Sequence, residues 1–467
     1  MKIQLIVFAI GILIANIVFG QDITGQWNGI LKVQGTQLRI VFNISKSENG
    51  FTSTMDSPDQ GAKGIPVTST GFENSTLKLA VSSARIEYEG VLGSDQIIVG
   101  NFKQGGMSFP LNLSREIAEK EKLERPQEPI KPYPYYEEEV TFENKTAGIT
   151  LAGTLTLPTK EGVFPAVILI SGSGPQNRDE ELLGHKPFLI ISDHLTRNGI
   201  AVLRFDDRGI AASKGDFKTA TSLDFSIDVE AGVSYLQTRK EINKKKIGLI
   251  GHSEGGLIAP MIASRSKDIA FIVLLAGPGI PGGQLLLLQQ ELIGKASGLS
   301  DTDLQTTRRI NSGAFEIVNK STDLEQLKTD LTTYVKQALK DNPNVGKNAG
   351  LNEDDYVKIS VNQTVNPWMV YFIKYNPAIA LEKVKCPVLA LNGEKDLQVA
   401  PKENLGAINE ALIKGGNKKV TTIELPGLNH LFQECKTGLP SEYAAIEQTF
   451  SPIALTEIVK WIKLQTQ

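Results

Sequence analysis

One serine in this chain stands in a setting that suits a nucleophile. The segment Gly251-His252-Ser253-Glu254-Gly255-Gly256 follows the apolar run Ile247-Gly248-Leu249-Ile250 and leads into the helix-compatible Leu257-Ile258-Ala259. Gly-x-Ser-x-Gly between a strand and a helix is a nucleophile elbow, a turn so tight that side chains two residues either side of the serine would collide. A serine hydroxyl is a weak nucleophile and needs a base, which a third group must orient. The chain has four histidines, His185, His194, His252 and His430, and only His430 follows Ser253. It lies in Pro426-Gly427-Leu428-Asn429-His430-Leu431-Phe432, just past an apolar run, where a loop at the carboxyl edge of a sheet is expected. With the order nucleophile, acid, base, the acid belongs at the end of the preceding strand. Leu391-Asn392-Gly393-Glu394-Lys395-Asp396 supplies two carboxylates there. Asp396 is preferred, because the Gly393 turn should carry the distal carboxylate toward His430; Glu394 is the rival.

Acyl transfer also needs N–H donors for a tetrahedral oxyanion. One is expected from the backbone of Glu254, directly after the nucleophile. The other should come from the loop Ser171-Gly172-Ser173-Gly174-Pro175, with the Ser173 N–H preferred and Gly172 the alternative. Read as a nucleotide fingerprint, that loop lacks its third glycine and a suitably placed acidic partner. Other candidates have plainer roles. His252 is expected to pack or hydrogen-bond, since neighbours on an elbow point apart, and His185 and His194 to be surface or helix residues. The Glu254 carboxylate is weighed as a receptor for a substrate amine, and Trp368, Met369, Tyr371 and Phe372 as either pocket lining or packing. Cys386 reads as a buried strand residue and Cys435 as a loop residue; two cysteines make no disulfide scaffold.

These residues need a sheet to hold them. Short runs rich in β-branched residues at 166–170, 201–205, 247–250, 271–275, 387–391 and 420–425 alternate with helix-length segments. That alternation predicts βα units around a mostly parallel sheet buried on both faces, with an early antiparallel strand at 150–157. About a hundred residues separate the strands at 271–275 and 387–391. Leu327, Leu331, Val335 and Leu339 within them have helical spacing, so a helical cap at about 280–380 is expected. Residues 21–114 differ: period-two stretches at 38–44, 77–81 and 97–102, broken by turn clusters, predict a small all-β domain. Its opening Gly25-Gln26-Trp27-Asn28-Gly29 resembles the start of lipocalin-like barrels, although Trp27 serves equally as an ordinary core aromatic. Charged turns and four spaced prolines at 115–136 read as a linker, and the region of βα units with its cap runs over 137–467.

Composition narrows the classes further. With 467 residues, 41% hydrophobic and 22% charged, the chain can bury substantial cores, which excludes global disorder. A balance of 49 Lys+Arg against 52 Asp+Glu, net −3, lacks the basic excess of a nucleic-acid binder. No cofactor and no metal are expected. Lys2, an apolar run at 3–19 and Gly20 before Gln21 and Asp22 read as a signal peptide over 1–20, giving an exported protein with no membrane span after cleavage; an uncleaved membrane anchor is the alternative.

The ordered set of motifs resembles the α/β-hydrolase superfamily, and more narrowly its exported bacterial esterases near the serine aminopeptidase-like hydrolases. It comprises the elbow, residues 391–396, residues 428–432, Gly172-Ser173-Gly174-Pro175-Gln176-Asn177-Arg178-Asp179, and Phe205-Asp206-Asp207-Arg208-Gly209. The resemblance implies the α/β-hydrolase fold and the same Ser253, Asp396 and His430. One departure is that Ala211 stands where the family often has a second glycine after Asp-Arg-Gly. The expected activity is hydrolysis of small carboxylic esters through an acyl-enzyme. A peptidase or thioesterase with the same residues is the near rival, and a ligand-binding protein with a vestigial hydrolase domain is the distant one.

Overall fold

Period-two alternation places every second side chain of a strand on one face, and the chain uses this in two different ways. The structure, a computed structural model, describes residues 22–33, 36–48, 50–104, 107–120, 124–343, 345 and 352–467, so the expected signal peptide at 1–20 lies outside the described residues. Two compact units meet in sequence after Lys120.

The first unit is all-β. Strands β1 (Gly25–Val33), β2 (Thr36–Ser47), β3 (Gly50–Ser57) and β4 (Ala62–Pro66) form one sheet in that order. A second sheet contains β5 (Ser69–Glu73), β6 (Thr76–Val81), β7 (Ile86–Leu92), β8 (Ile98–Gln104) and β9 (Met107–Pro110). Strict alternation of buried and exposed positions along β7 sends Ile86, Tyr88 and Leu92 inward. Trp27 is completely buried among them, donates its indole N–H to the Ile23 carbonyl at 2.8 Å, and carries the Arg115 guanidinium over its ring at 4.0 Å.

In the second unit the central strands are buried on both faces, whereas the first and last strands of the sheet carry exposed polar residues. The sheet runs β10 (Tyr136–Asn144), β11 (Ile149–Leu157), β13 (Ala201–Phe205), β12 (Phe164–Ile170), β14 (Ile242–His252), β15 (Phe271–Leu275), β16 (Val388–Gly393) and β17 (Val420–Leu425). β11 is antiparallel to both its neighbours, whereas β12 to β17 pair in parallel. Within β12, Ala166, Ile168 and Ile170 enter one core while Val167 and Leu169 enter the other. Helices α2 (Ser222–Thr238), α3 (Glu254–Ala263) and α10 (Pro401–Lys414) pack into the first core; α1 (Pro187–Arg197) and α11 (Pro452–Gln465) pack into the second.

Between β15 and β16 the chain forms α4 (Gly282–Ala296), α5 (Asp301–Lys320), α6 (Leu324–Asp341), α7 (Glu353–Val365), α8 (Pro367–Lys374) and the short α9 (Ala378–Leu381). Leu327 and Leu331 are buried in a separate cluster of this helical insertion, with Val335 and Leu339 against it. Side-chain caps define the helix starts: Ser300, Asp323, Asn352 and Asn366 each accept a first-turn N–H of α5, α6, α7 and α8.

Residues 124–135, read in the sequence as part of a spacer, carry no helix or strand but are tied to the second unit. Arg125 donates to the carbonyls of Ala444 at 2.9 Å and Ile446 at 2.8 Å, and Gln127 bonds the backbone of Thr449 and Phe450. Those side chains convert a proline-spaced segment into a strap. Among the described residues no helix is long and apolar enough to cross a membrane.

Candidate active site

At the end of β14 the chain turns into α3 through Ser253, whose backbone lies at φ 51° and ψ −115°. A non-glycine residue pays for that conformation with roughly 1–3 kcal/mol, and close packing on all sides maintains it. A methyl carbon on Gly251 would stand 2.0 Å from the Gly255 carbonyl oxygen, and one on Gly255 would stand 2.1 Å from that of Ile170. Neither clash can be relieved by a side-chain rotation, because both obstacles are backbone. The Ser253 N–H is held by the Leu275 carbonyl at 2.8 Å, which locks the elbow to β15.

The loops after β16 and β17 meet beside this turn. Asp396 N–H bonds the Gly393 carbonyl at 3.1 Å, closing the turn that the glycine suggested. Gly393 must lack a side chain for a second reason: a methyl carbon there would lie 2.3 Å from the Leu428 carbonyl oxygen. The His430 Nδ1–H donates to Asp396 Oδ2 at 2.8 Å, and both side chains are buried. Asp396 Oδ1 receives the backbone N–H groups of Gln398 and Val399, each at 2.8 Å, and Asn392 Nδ2 approaches Oδ2 at 3.3 Å. Glu394 points elsewhere, accepting the Gly427 N–H at 2.8 Å from an exposed position. His430 Nε2 has no hydrogen-bond partner among the described residues. Ser253 and His430 line one cavity of about 90 Å³ with Ser173, Gln176, Leu182, Gln398 and others.

Of the expected oxyanion donors, the Glu254 N–H opens α3 and the Ser173 N–H lies in the loop after β12. Neither has an acceptor among the described residues. The alternative donor is a correction: the Gly172 N–H is already given to Glu180 Oε1 at 2.6 Å, so it is not available to a bound oxygen. The loop itself is pinned by the two motifs singled out in the sequence, which pair with each other. Arg178 grips Asp206 through Nε at 3.1 Å and Nη2 at 2.8 Å, and Asp207 accepts from Ser171 Oγ at 2.8 Å and the Gln176 N–H at 2.9 Å. Burial, with Glu254 and Glu180 nearby, pushes the Asp207 carboxyl up to about 8. Arg208 in turn chelates Asp228 at 2.7 and 2.9 Å. Ala211, the departure from the family pattern, has φ 46°, the left-handed conformation that a glycine would adopt at lower cost.

One further expectation is overturned and two open readings narrow. His185 is neither a surface nor a helix residue. It is buried beside the cavity, with Nδ1 2.9 Å from Thr449 Oγ1 and Nε2 2.9 Å from the Tyr443 carbonyl, and burial lowers its pKa to about 4. The Glu254 carboxylate cannot receive a substrate amine. Its Oε1 takes the Ser222 hydroxyl at 2.5 Å and the Trp368 indole N–H at 2.7 Å, and burial raises its pKa. Trp368 therefore serves as a hook from α8 onto the elbow helix, stacked on Phe372 at 5.2 Å, and is absent from the lining of the Ser253 cavity. Cys386 and Cys435 are both free thiols.

Sequence reasoning missed Glu180. It is buried, with backbone φ 50°, and its Oε1 also lies 2.9 Å from His252 Nδ1. The only signal available was an acidic residue closing the segment 172–180, and nothing in the spacing tied it to His252.

A hydroxyl on a strained elbow, an imidazole oriented through Nδ1 by a buried carboxylate, and two uncommitted N–H groups are the parts required for acyl transfer to water. Comparisons with known proteins give partial similarities. Residues 229–340 match the family model described as BAAT / acyl-CoA thioester hydrolase C terminal. The chain is 32% identical to esterase EstD of Thermotoga maritima over 173 residues, which are 36% of this chain and 41% of that protein. It is 29% identical to the mitochondrial acyl-coenzyme A thioesterase 2 of Rattus norvegicus over 148 residues, 32% of this chain and 30% of that one. The chain thus spans less than half the length of these curated relatives. Among solved structures, a Pyrococcus furiosus esterase aligns over 75% of this chain and 100% of its own, at 17% identity and a TM-score of 0.44.

Proposed function

We propose that the chain is an α/β-hydrolase and acts as a serine hydrolase of small carboxylic esters, a reading supported by its mixed eight-stranded sheet and its partial matches to an esterase and to an acyl-CoA thioester hydrolase family. The observation that carries the reading is the buried His430–Asp396 bond at 2.8 Å opening onto the cavity that Ser253 lines. In this mechanism Ser253 Oγ attacks the acyl carbon while His430 Nε2 takes its proton. The same nitrogen then returns the proton to the leaving alcohol. Asp396 keeps the imidazole proton on Nδ1 and stabilises the imidazolium that forms. The Glu254 and Ser173 N–H groups receive the developing oxyanion, each contributing on the order of 3 kcal/mol to the transition state. Water, activated by His430, finally attacks the acyl-enzyme carbonyl and releases the acid.

The matches to acyl-CoA thioester hydrolases favour a second reading, cleavage of acyl thioesters by the same groups. The peptidase reading keeps the same nucleophile and base but gains nothing from the Glu254 carboxylate, whose Oε1 is engaged by Ser222 and Trp368. We further propose that the protein is exported through residues 1–20 and that the all-β unit, with Trp27 packed at its centre, is lipocalin-like.

Ser253→Ala tests the mechanism. It should abolish ester turnover and fluorophosphonate labelling with folding intact, and full activity in that variant would overturn it. Parallel rates on short-chain nitrophenyl esters and acyl-CoA thioesters separate the two substrate readings.

A further inference from the structure

The mechanism above leaves one buried titratable group at the elbow without a role. His252, directly before the nucleophile, has its ring centroid 4.9 Å from that of His430. Its Nδ1 faces Glu180 Oε1 at 2.9 Å, and its Nε2 faces the backbone carbonyl oxygen of His430 at 3.0 Å. A carbonyl oxygen has no proton to offer, so Nε2 must carry one. Glu180 Oε1 already receives the Gly172 N–H at 2.6 Å, which marks it as an acceptor toward Nδ1 as well. A ring that donates from both nitrogens is an imidazolium, and the buried Glu180 carboxylate is its counter-charge.

We propose that Glu180 and His252 form a buried ionic clamp that positions the three loops of the acyl-transfer site, with Glu180 a positioning residue that touches no substrate. One carboxylate oxygen ties the loop after β12, through Gly172, to the elbow strand, through His252. The far side of the same ring ties the elbow to the carbonyl of His430. A glycine at 172 suits this packing, since a methyl carbon on it would lie 3.2 Å from both Glu180 Oε1 and Ser253 Cβ and would press on the two groups the clamp positions. With Gly172 fixed in this way, the next N–H along the chain, that of Ser173, is left for the substrate. Backbone strain at Glu180, φ 50°, is the kind of cost that a site retains when several contacts over-determine it.

The surrounding charges are consistent with the clamp. Burial is the largest influence on His252 and opposes its charge. The Glu180 carboxylate and its hydrogen bond, the His430 carbonyl and the Asp396 carboxylate together outweigh it, so the ring titrates above the ordinary histidine range. Asp207 and Glu254, the other acidic groups of this region, are themselves raised by burial.

The test uses the full chain and Glu180→Gln. This inference rests on the serine-hydrolase reading for its kinetic arm, while its spectroscopic arm is independent of activity. In 15N-histidine-labelled wild type near neutral pH, both His252 ring nitrogens should carry protons; in Glu180→Gln only one should. Loss of the counter-charge should lower kcat by about 10- to 100-fold at mildly alkaline pH with KM nearly unchanged, the scale expected of a displaced catalytic geometry. The alkaline limb of the kcat profile should also move to lower pH. A singly protonated His252 in wild type, or a Glu180→Gln enzyme with an unaltered kcat profile, overturns the proposal. Should Glu180→Gln fail to fold, the wild-type ring state decides alone. If Ser253→Ala keeps its esterase activity while His252 is doubly protonated, the function fails and the clamp stands.

Discussion

Replacing Asp396 by Asn changes one atom and should change the tautomer of His430. Asp396 Oδ1 holds the Gln398 and Val399 N–H groups at 2.8 Å each, so the amide oxygen of an asparagine must remain on that side. The new NH2 then occupies the Oδ2 position, 2.8 Å from His430 Nδ1 and 3.3 Å from the Asn392 amide nitrogen. Facing a donor, Nδ1 becomes an acceptor and the ring proton moves to Nε2, the nitrogen that should take the proton from Ser253. In a serine–histidine–aspartate triad, the arrangement proposed for Ser253, His430 and Asp396, the wrong tautomer reduces kcat about 10⁴-fold, which is about 5.4 kcal/mol of transition-state stabilisation. The two opposed amide donors cost stability on the order of 1–3 kcal/mol, so a melting curve should still show a cooperative fold. Glu394→Gln is the matched control: among the described residues its exposed carboxylate serves only the Gly427 N–H, and turnover should stay within about twofold. Initial rates on a short-chain nitrophenyl ester, with active sites counted by fluorophosphonate burst, supply kcat for each variant. A loss below tenfold in Asp396→Asn, or an equal loss in Glu394→Gln, would refute the assignment of the acid.

Two other perturbations follow from buried groups. Trp368→Phe keeps the stack on Phe372 but removes the indole N–H from Glu254 Oε1, leaving the Ser222 hydroxyl as its partner. Stability should drop by about 1–3 kcal/mol, read as a lower urea midpoint, and an unchanged midpoint would remove the hook between α8 and the elbow. Asp207 binds its proton more tightly folded, up to about 8, than at its ordinary value of 3.8. Its stabilising contribution is therefore complete below about pH 4 and is lost as pH rises through 8, at no more than about 1.4 kcal/mol per pH unit. Asp207→Asn should flatten denaturation midpoints measured across that window, and identical pH slopes in the two proteins would contradict a neutral buried carboxyl.

Much of the fold is legible in the order of apolar runs. The stretches at 166–170, 201–205, 247–250, 271–275 and 387–391 fall on central strands, because fully buried parallel strands must be apolar on both faces, and 420–425 falls on the edge strand β17, where Thr421, Thr422 and Glu424 are exposed. Strand order is another matter. That β13 lies between β11 and β12 depends on crossover packing, which no local pattern encodes. The strap at 124–135 was similarly hidden, since proline spacing describes backbone preference and says nothing of what Arg125 and Gln127 will bond.

For the site, local chemistry and chain order were enough to single out Ser253, Asp396 and His430. Glycines at 251 and 255 announce a turn whose clashes are intrinsic to the backbone, and only one histidine follows it. Whether a buried polar group is free or spent was decided by tertiary structure alone. The Gly172 N–H is consumed by Glu180, the Glu254 carboxylate by Ser222 and Trp368, and the His185 ring by Thr449 and Tyr443. Each partner is remote in sequence, and a hydrogen bond depends on distance and direction in space, quantities that a residue type does not carry.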